Sequence, residues 1–317
     1  MTERHEQRGV SHELKTHAPE RLRSLLVPVD LTPISDRVLA RVALLPLSDG
    51  ARLTLLHVVP ESLPARDRRT AERNAKKLLD DEARNLAKSV PKGVSIAPVV
   101  KIGAVAEEIA ACARSTKVDL VVMGRGGGRA LREVFLGSTA ERVIRRLMHP
   151  VLVVRLAARA PYSRPALALD FDQAAHDALA LMLRVLPDFR QRVMVIHAFD
   201  SLYYGHVHRS LSEEDAEEWR EEFQQKAARR LATLLSTSVA RAKVPPRDVP
   251  MWKTHIRYGS PRLVIKKAVK KADTDLLVLG TRGFTGVVHL FLGTVAGDVL
   301  RDVACDVLVV PPRPPRK

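Results

Sequence analysis

The strongest constraint on the fold is an internal repeat, because the second half of the chain copies the order of motifs in the first. The motifs that recur 156 residues later pair Gly103 with Gly259, Gly124 with Gly280, and 135–138 with 291–294. Upstream the spacing is shorter, since Asp30 recurs as Asp170 after only 140 residues. The second copy therefore contains 16 extra residues, which we place at 200–215. The sequence predicts two copies of one domain in tandem.

Each copy alternates short aliphatic runs with amphipathic segments. In the first copy, a strand over 25–30 precedes a helix for which Thr32 is the expected N-cap and Pro33 the first residue. Continuous aliphatic runs between helices are typical of a parallel sheet covered on both faces. We therefore expect α/β domains over 21–156 and 165–312, joined by a linker over 157–164. Residues 1–20 and 313–317 are expected to be flexible tails.

Composition excludes two classes of protein. No apolar run approaches the roughly 18 residues that cross a bilayer, so a transmembrane protein is excluded. The polar N-terminus lacks the apolar core of a secretory signal. Two cysteines, Cys112 and Cys305, are too few for a disulfide framework, and free thiols in a reducing cytosol are the default. These features favour a cytoplasmic protein without a membrane partner.

The formal net charge of +16 raises the question of a polyanionic partner. Such a charge attracts nucleic acid or another anionic ligand at low salt. It is equally typical of a basic surface whose charge is spread over helix faces. The Lys and Arg residues do not form one block, so we favour the second interpretation, and a nucleic-acid partner is disfavoured.

The motif that carries chemistry is a spaced set of glycines after the fourth aliphatic strand of each copy. In the first copy, Gly124, Gly127 and Gly137 precede Ser138 and Thr139, and in the second Gly280, Gly283 and Gly293 precede Thr294. Glycine lets backbone amides approach an anion, and a helix N-terminus favours negative charge. The alternative is that these glycines only serve turn geometry. Two copies with the same spacing favour phosphate binding.

Asp30 and Asp170 end the first strand of each copy. In a doubly wound sheet, ligands lie beyond the carboxyl ends of the strands. If strands one and four are neighbours, Asp30 faces the loop that starts at Gly124. Such a carboxylate bonds ribose hydroxyls or holds a metal, or it caps the following helix.

These motifs resemble those of the universal stress protein family in its tandem two-domain form. The resemblance rests on LLVPVD in the first strand, LLHVV in the second, the VVMG strand end, both glycine motifs and the closing VLVV strand. It covers 21–156 and 165–312. It implies Rossmann-like domains, each with a five-stranded parallel sheet of order 3-2-1-4-5. It also implies ATP as the ligand, with Mg²⁺ as an option, because the branch of the family with this glycine motif binds ATP.

The resemblance also implies a set of binding residues in each copy. In the first copy, adenine and ribose would contact Pro28, Asp30 and Val58, and phosphates would contact Gly124, Gly127, Gly137, Ser138 and Thr139. Thr32 and Arg125 are added there as a neutral donor and a cation near the phosphates. The second set is Asp170, Ala198, Gly280, Thr281, Gly283, Gly293 and Thr294. Asp172 replaces Thr32, which places a negative charge near the phosphates and predicts weaker binding in the second copy.

Other nucleotide and metal motifs are missing. The chain has no Walker A loop, no G-x-G-x-x-G after the first strand and no zinc spacing of Cys and His. His57 and His197 occupy matching strand ends, where we expect structural, hydrogen-bonded histidines. We therefore expect a nucleotide-dependent regulatory binding module. The alternatives are a slow ATPase or phosphotransferase and a nucleic-acid-associated protein.

The last expectation concerns assembly. Domains of the resembling family often pair through their fifth strands, here 151–155 and 307–310. An exposed aliphatic edge strand promotes aggregation, and pairing removes that edge. We expect the two copies to pair within one chain, with a homodimer as a further possibility.

Overall fold

The computed structural model describes residues 20–126, 138–186, 191–199, 212–281 and 293–312. It contains one ten-stranded sheet with helices on both faces. The elements of the first half are β1 (Leu22–Pro28), α1 (Pro33–Ala43), β2 (Leu47–Pro60), α2 (Ala65–Ala87), β3 (Ser95–Gly103), α3 (Val105–Thr116), β4 (Leu120–Gly124), α4 (Ser138–Arg146) and β5 (Val151–Val154).

The second half repeats this order with a longer second helix. Its elements are β6 (Pro165–Ala168), α5 (Gln173–Val185), β7 (Arg192–Phe199), α6 (Glu213–Arg241), β8 (Met251–Tyr258), α7 (Pro261–Lys271), β9 (Leu276–Gly280), α8 (Thr294–Asp302) and β10 (Asp306–Val310). A short 3₁₀ turn, Pro246–Asp248, separates α6 from β8. Most of the predicted insertion at 200–215 lies outside the described residues.

Strand order places the two halves back to back. The sheet runs β3-β2-β1-β4-β5-β10-β9-β6-β7-β8, so both halves follow the order 3-2-1-4-5 from their outer edge to the centre. The strands within each half are parallel. β5 and β10 meet antiparallel, with Leu152 opposite Leu308. The α/β class is confirmed, and the fifth strands of the two halves are paired within the chain.

The core lies on both faces of this sheet. The side chains of β1 alternate between these two faces. Leu25 and Val27 pack toward α1 and α2, whereas Leu26 packs toward α3 and α4. The same two layers continue over α5 and α6, and over α7 and α8, in the second half. Both faces of the inner strands are therefore buried, which is why their aliphatic residues are consecutive rather than alternate in β4, β5, β9 and β10.

Helix α1 begins as its sequence indicates. The Thr32 side chain accepts a hydrogen bond from the Ile34 amide, and Pro33 occupies the first turn. The predicted N-cap is confirmed. Such a cap satisfies one of the amides that a helix start leaves without a partner.

A buried polar cluster joins the two halves at the β5–β10 junction. Asp306, at the start of β10, is fully buried. Its carboxylate accepts hydrogen bonds from the Arg155 and Leu156 amides at 2.7 and 2.8 Å and from the Tyr162 hydroxyl at 2.7 Å. Arg41 of α1 forms an ion pair with the same carboxylate, with 3.2 Å between its Nε and Asp306 Oδ2.

The linker is held by this cluster. The Arg41 guanidinium lies 4.0 Å from the centroid of the Tyr162 ring and donates to the Ala160 carbonyl at 3.0 Å. Burial raises the pKa of Asp306 despite these donors. The sequence repeat does not predict this cluster, because Pro150 occupies the position that matches Asp306 in the first half.

Within the described ranges, the helices are all too short or too polar to cross a membrane.

Candidate nucleotide site

A cavity of about 330 Å³ opens in the first half, at the carboxyl ends of β1 and β4. This volume is within the range of small-molecule sites, about 300–1,000 Å³. Its lining comes from β1, α1, β2, α3, β4 and α4. The lining residues are Pro28, Val29, Asp30, Ile34, Ser35, Val38, Leu56, His57, Val58, Pro60, Val105, Ile109, Met123, Gly124, Gly126 and Thr139.

Most of this lining is apolar, and a few polar groups interrupt it. Leu56, Val58, Ile109 and Met123 are buried and form an apolar slot. Asp30, Ser35 and Thr139 supply the oxygens. An apolar slot with a few convergent polar groups suits a ligand with one flat apolar part and one polar part.

Asp30 is held in place by neighbouring hydroxyls. Its Oδ1 accepts hydrogen bonds from the Thr32 and Ser35 hydroxyls, both at 2.7 Å, and from the Thr32 amide at 3.2 Å. The Asp30 amide donates to the Ser35 hydroxyl at 3.0 Å. These bonds engage Oδ1 and fix the orientation of the carboxylate. Oδ2 remains the oxygen that a ligand hydroxyl can approach.

Two histidines at matching strand ends have the structural role expected of them. His57 Nδ1 lies 2.9 Å from the Val29 carbonyl, and His197 Nδ1 lies 3.1 Å from the Leu169 carbonyl. A carbonyl only accepts, so Nδ1 carries the proton in both rings. Burial lowers the pKa of His197, which keeps that ring neutral.

Gly124 packs closely against helix α1. A Cβ at this position would lie 3.1 Å from Cγ2 of Ile34 in α1. Two residues later, Gly126 has a φ of +64°, a conformation that glycine adopts without strain. The turn after β4 therefore favours glycine at 124 for packing and at 126 for backbone geometry, in addition to any contact with a ligand.

The phosphate end of the predicted site is described in part. Thr139, in the first turn of α4, lines the cavity. Ser138 begins α4, and its side chain lies outside the described residues, as do Gly127 and Gly137 entirely. The N-terminus of α4 thus lies at the cavity, where its amides favour an anion.

Thr32 and Arg125 do not belong to the cavity lining. Thr32 caps α1 and orients Asp30, so its hydroxyl is already engaged. The Arg155 guanidinium has a lowered pKa, first because of burial, and the nearby charge of Arg125 lowers it further. The charge of Arg125 therefore lies near that of Arg155, at the end of β5.

The second half brings its predicted residues together differently. A Cβ on Gly280 would lie 3.5 Å from both the backbone and the Cβ of Ala174 in α5. Ala174 matches Ile34, so the backbone of α5 reaches a position that in the first half a long side chain occupies. The backbone of α5 therefore lies closer to the Cβ position of Gly280 than the backbone of α1 lies to that of Gly124.

Polar groups also differ in the second half. Asp170 accepts a hydrogen bond from the Phe171 amide at 2.8 Å, and the residue matching Ser35 is Ala175. Thr281 is buried, and its amide donates to the Val310 carbonyl at 2.9 Å. Its hydroxyl faces the same carbonyl at 3.5 Å, toward the sheet rather than toward a ligand.

The remaining predicted residues of the second half lie at its strand and helix ends. Ala198 is half-buried near the end of β7, Gly293 precedes α8, and Thr294 is exposed in its first turn. Gly283 lies outside the described residues.

Asp172 caps α5, accepting from the Ala175 amide at 3.1 Å, and lines a groove between α5 and α6. Burial raises its pKa. Because Gly283 of the predicted phosphate loop lies outside the described residues, the weaker binding expected from the charge of Asp172 stays a prediction.

Comparison with known proteins identifies the family. Residues 21–155 and 162–311 each match the universal stress protein family. The chain belongs to the universal stress protein family. Within it, a universal stress protein of Methanocaldococcus jannaschii is 28% identical over 153 residues, which are 42% of this chain and 94% of that relative. Another, from Mycolicibacterium smegmatis, is 26% identical over 309 residues, 91% of this chain and 97% of the relative.

A solved structure supports the tandem fold. A universal stress protein from Archaeoglobus fulgidus, 17% identical in sequence, superimposes with a TM-score of 0.63. The match covers 92% of this chain and 98% of that one. The likeness of these two universal stress proteins therefore extends over both halves.

Sequence reasoning missed several lining residues of this universal stress protein. One of them is Ser35, which is three residues beyond the Thr32 cap. Two others, Ile109 and Met123, lie in apolar stretches whose pattern is the same as that of core residues. Gly126 was overlooked because the spacing selected Gly127. Apart from Ser35, whose hydroxyl follows a helix cap, these residues carry no sequence signal that separates a cavity wall from a packed core.

Proposed function

We propose that the chain is a nucleotide-dependent regulatory module that binds ATP in its first half. The observation that carries this proposal is the lining of the 330 Å³ cavity. Five residues expected to bind nucleotide lie around it, although they come from four different elements and the loop after β1: Pro28, Asp30, Val58, Gly124 and Thr139.

The chemistry of the lining matches the parts of a nucleotide. The slot of Leu56, Val58, Ile109 and Met123 suits the faces of an adenine ring. Asp30, oriented by two hydroxyls, suits the ribose hydroxyls. The N-terminus of α4 suits phosphate, because its free amides and dipole favour negative charge. Mg²⁺ would take Asp30 as its protein carboxylate and phosphates and water as its other ligands.

The two halves are proposed to differ in affinity, with the first binding more tightly. The reasons are the approach of Ala174 to Gly280, the loss of the hydroxyl at Ala175, and the bonding of Thr281 to the sheet.

Hydrolysis is the weaker proposal. Among the described lining residues, Asp30 is the one carboxylate, and it already accepts hydrogen bonds from Thr32 and Ser35. The His57 ring is held by the Val29 carbonyl. Within the described ranges, no group of three or more His, Cys, Asp or Glu side chains is placed to hold a metal ion. In the part of the cavity that the structure describes, no contact singles out a general base.

The test combines ligand identification with matched variants. Mass spectrometry of the ligand released from freshly purified protein is expected to find an adenine nucleotide. Calorimetry then compares Asp30→Asn with Asp170→Asn, which changes the matching residue of the second half. Losing a charged hydrogen bond to ribose costs about 1.5–3 kcal/mol, so Asp30→Asn is expected to weaken ATP binding about tenfold or more.

Asp170→Asn is expected to leave the tighter phase unchanged. An unchanged ATP affinity in folded Asp30→Asn would refute the site. Steady release of inorganic phosphate from ATP, abolished by Asp30→Asn, would favour the enzyme instead of the binding module.

A further inference from the structure

A second concavity lies in the second half, between α5 and α6, and the nucleotide proposal does not use it. It has a volume of about 550 Å³. Its lining residues are Phe171, Asp172, Gln173, His176, Arg229, Arg230, Thr233, Leu234 and Thr237. We call it the α5–α6 groove.

Two guanidinium groups give this groove its charge. Arg229 and Arg230 are both exposed, and Arg230 lies 4.3 Å from the centroid of the Phe171 ring. In the described part of the chain, neither forms an ion pair with a carboxylate. Thr237 lies on the same wall, as does Thr233, whose hydroxyl donates its proton to the Arg229 carbonyl at 3.2 Å. Guanidinium groups are donors that proteins use for phosphate oxygens.

A neutral histidine adds an acceptor to the lining. Ser238 donates its hydroxyl proton to the Leu234 carbonyl at 2.7 Å, so its oxygen accepts from His176 Nδ1 at 2.6 Å. The proton is therefore on Nδ1, and Nε2 is an acceptor. Burial lowers the pKa of His176, as does the charge of Arg241, which favours this neutral form.

The matching positions of the first half carry charges of both signs. Arg73 matches Arg229 and Lys77 matches Thr233, but Asp36 takes the place of His176, and Glu82 takes the place of Ser238. Burial raises the pKa of Glu82, and the nearby charges of Asp36 and Asp81 raise it further. At these positions the adjacent pair of guanidinium groups occurs only in the second half, because Asn74 matches Arg230.

We propose that the α5–α6 groove binds a small phosphate-bearing molecule that also carries a hydroxyl group. Arg229 and Arg230 contact the phosphate, and His176 Nε2 or the Asp172 carboxylate accepts from the hydroxyl. The ring of Phe171 forms the apolar floor. This site is separate from the nucleotide cavity, which lies in the other half of the chain.

The test uses the full-length protein with two probes, inorganic phosphate and glycerol 3-phosphate. Calorimetry compares the wild type with Arg229→Gln/Arg230→Gln. Both side chains are exposed, so the fold is expected to tolerate these changes. The matched control is Arg73→Gln, because Arg73 is exposed at the position in α2 that matches Arg229.

We expect wild type and Arg73→Gln to bind one more equivalent of glycerol 3-phosphate than the double variant, or to bind it at least about tenfold more tightly. The NMR signals of the Nε–H groups that the double variant lacks are expected to shift on titration. Glycerol 3-phosphate is expected to bind more tightly than inorganic phosphate, and His176→Phe to remove that preference.

Three results would overturn the proposal. The first is that wild type and double variant bind glycerol 3-phosphate equally well. The second is that Arg73→Gln weakens binding as much as the double variant does. The third is that wild type binds neither probe. The nucleotide proposal survives any of them, because the variants leave the cavity of the first half intact and ATP binding is measured in parallel.

Discussion

Removal of the Asp306 carboxylate tests the physical account of the interdomain junction. In Asp306→Ala, the Arg41 guanidinium keeps its position in α1 with only 3% of its surface exposed, but it loses its counter-ion. The Arg155 and Leu156 amides and the Tyr162 hydroxyl lose their acceptor. Arg41 keeps its hydrogen bond to the Ala160 carbonyl, but in the described part of the chain it has no second carboxylate as a counter-ion.

The magnitude follows from the buried charge. Breaking a buried ion pair by removing one partner costs about 3–5 kcal/mol, because the other charge stays buried without compensation. Each orphaned neutral donor adds up to about 1–3 kcal/mol, less where water enters the space left by the carboxylate. We therefore expect Asp306→Ala to lower the free energy of unfolding by about 3–5 kcal/mol.

The assay is urea unfolding followed by far-ultraviolet circular dichroism, analysed as a double-mutant cycle with Arg41→Met. Because Arg41→Met removes the charge that Asp306→Ala leaves alone, the double variant is expected to lose about 1–3 kcal/mol less than the sum of the single losses. Asp298→Ala is the control, since its side chain is 36% exposed and pairs at the surface with Arg301. Its effect is expected to stay within about 0.5 kcal/mol.

A loss below about 1 kcal/mol in Asp306→Ala would refute this reasoning. So would strictly additive losses in the cycle, because they would mean that Arg41 and Asp306 do not depend on each other.

Three further predictions follow from single residues. Gly124→Ala is expected to lower the free energy of unfolding by about 1 kcal/mol, because its Cβ would lie 3.1 Å from Ile34. Gly280→Ala is expected to cost less, because the atom nearest to its Cβ is 3.5 Å away. Thermal unfolding of both variants checks which of them is less stable. Burial raises the pKa of the Cys305 thiol to about 12, so iodoacetamide at pH 8 is expected to label half-buried Cys112 first and leave Cys305 unlabelled, as peptide mass mapping will show. Burial lowers the pKa of His197 below 6.5, so the unfolded chain binds the proton first and the free energy of unfolding falls as the pH drops below about 6.5. His197→Gln is expected to reduce this dependence of stability on pH. An unchanged dependence between pH 7 and 5 would contradict the prediction.

Much of the fold was readable from local patterns. The repeat spacing of Gly124 and Gly280 predicted two copies, and aliphatic runs between helices predicted parallel strands with both faces covered. The Thr32 cap was readable because it depends on residues within one turn of helix. In the candidate site, Pro28, Asp30, Val58 and Gly124 follow strand ends, and parallel strands bring their carboxyl ends to one edge.

The tertiary structure decided what depends on side chains from distant segments. Asp172 and Thr281 occupy repeat positions like any others, yet one faces the α5–α6 groove and the other bonds to Val310. The ion pair of Asp306 with Arg41 joins the last strand of the chain to its first helix, and it contributes to stability only when folding buries both groups together. Periodicity reports which face of an element is buried, but not which charged groups meet there, because that depends on how the helices of each half pack on the common sheet.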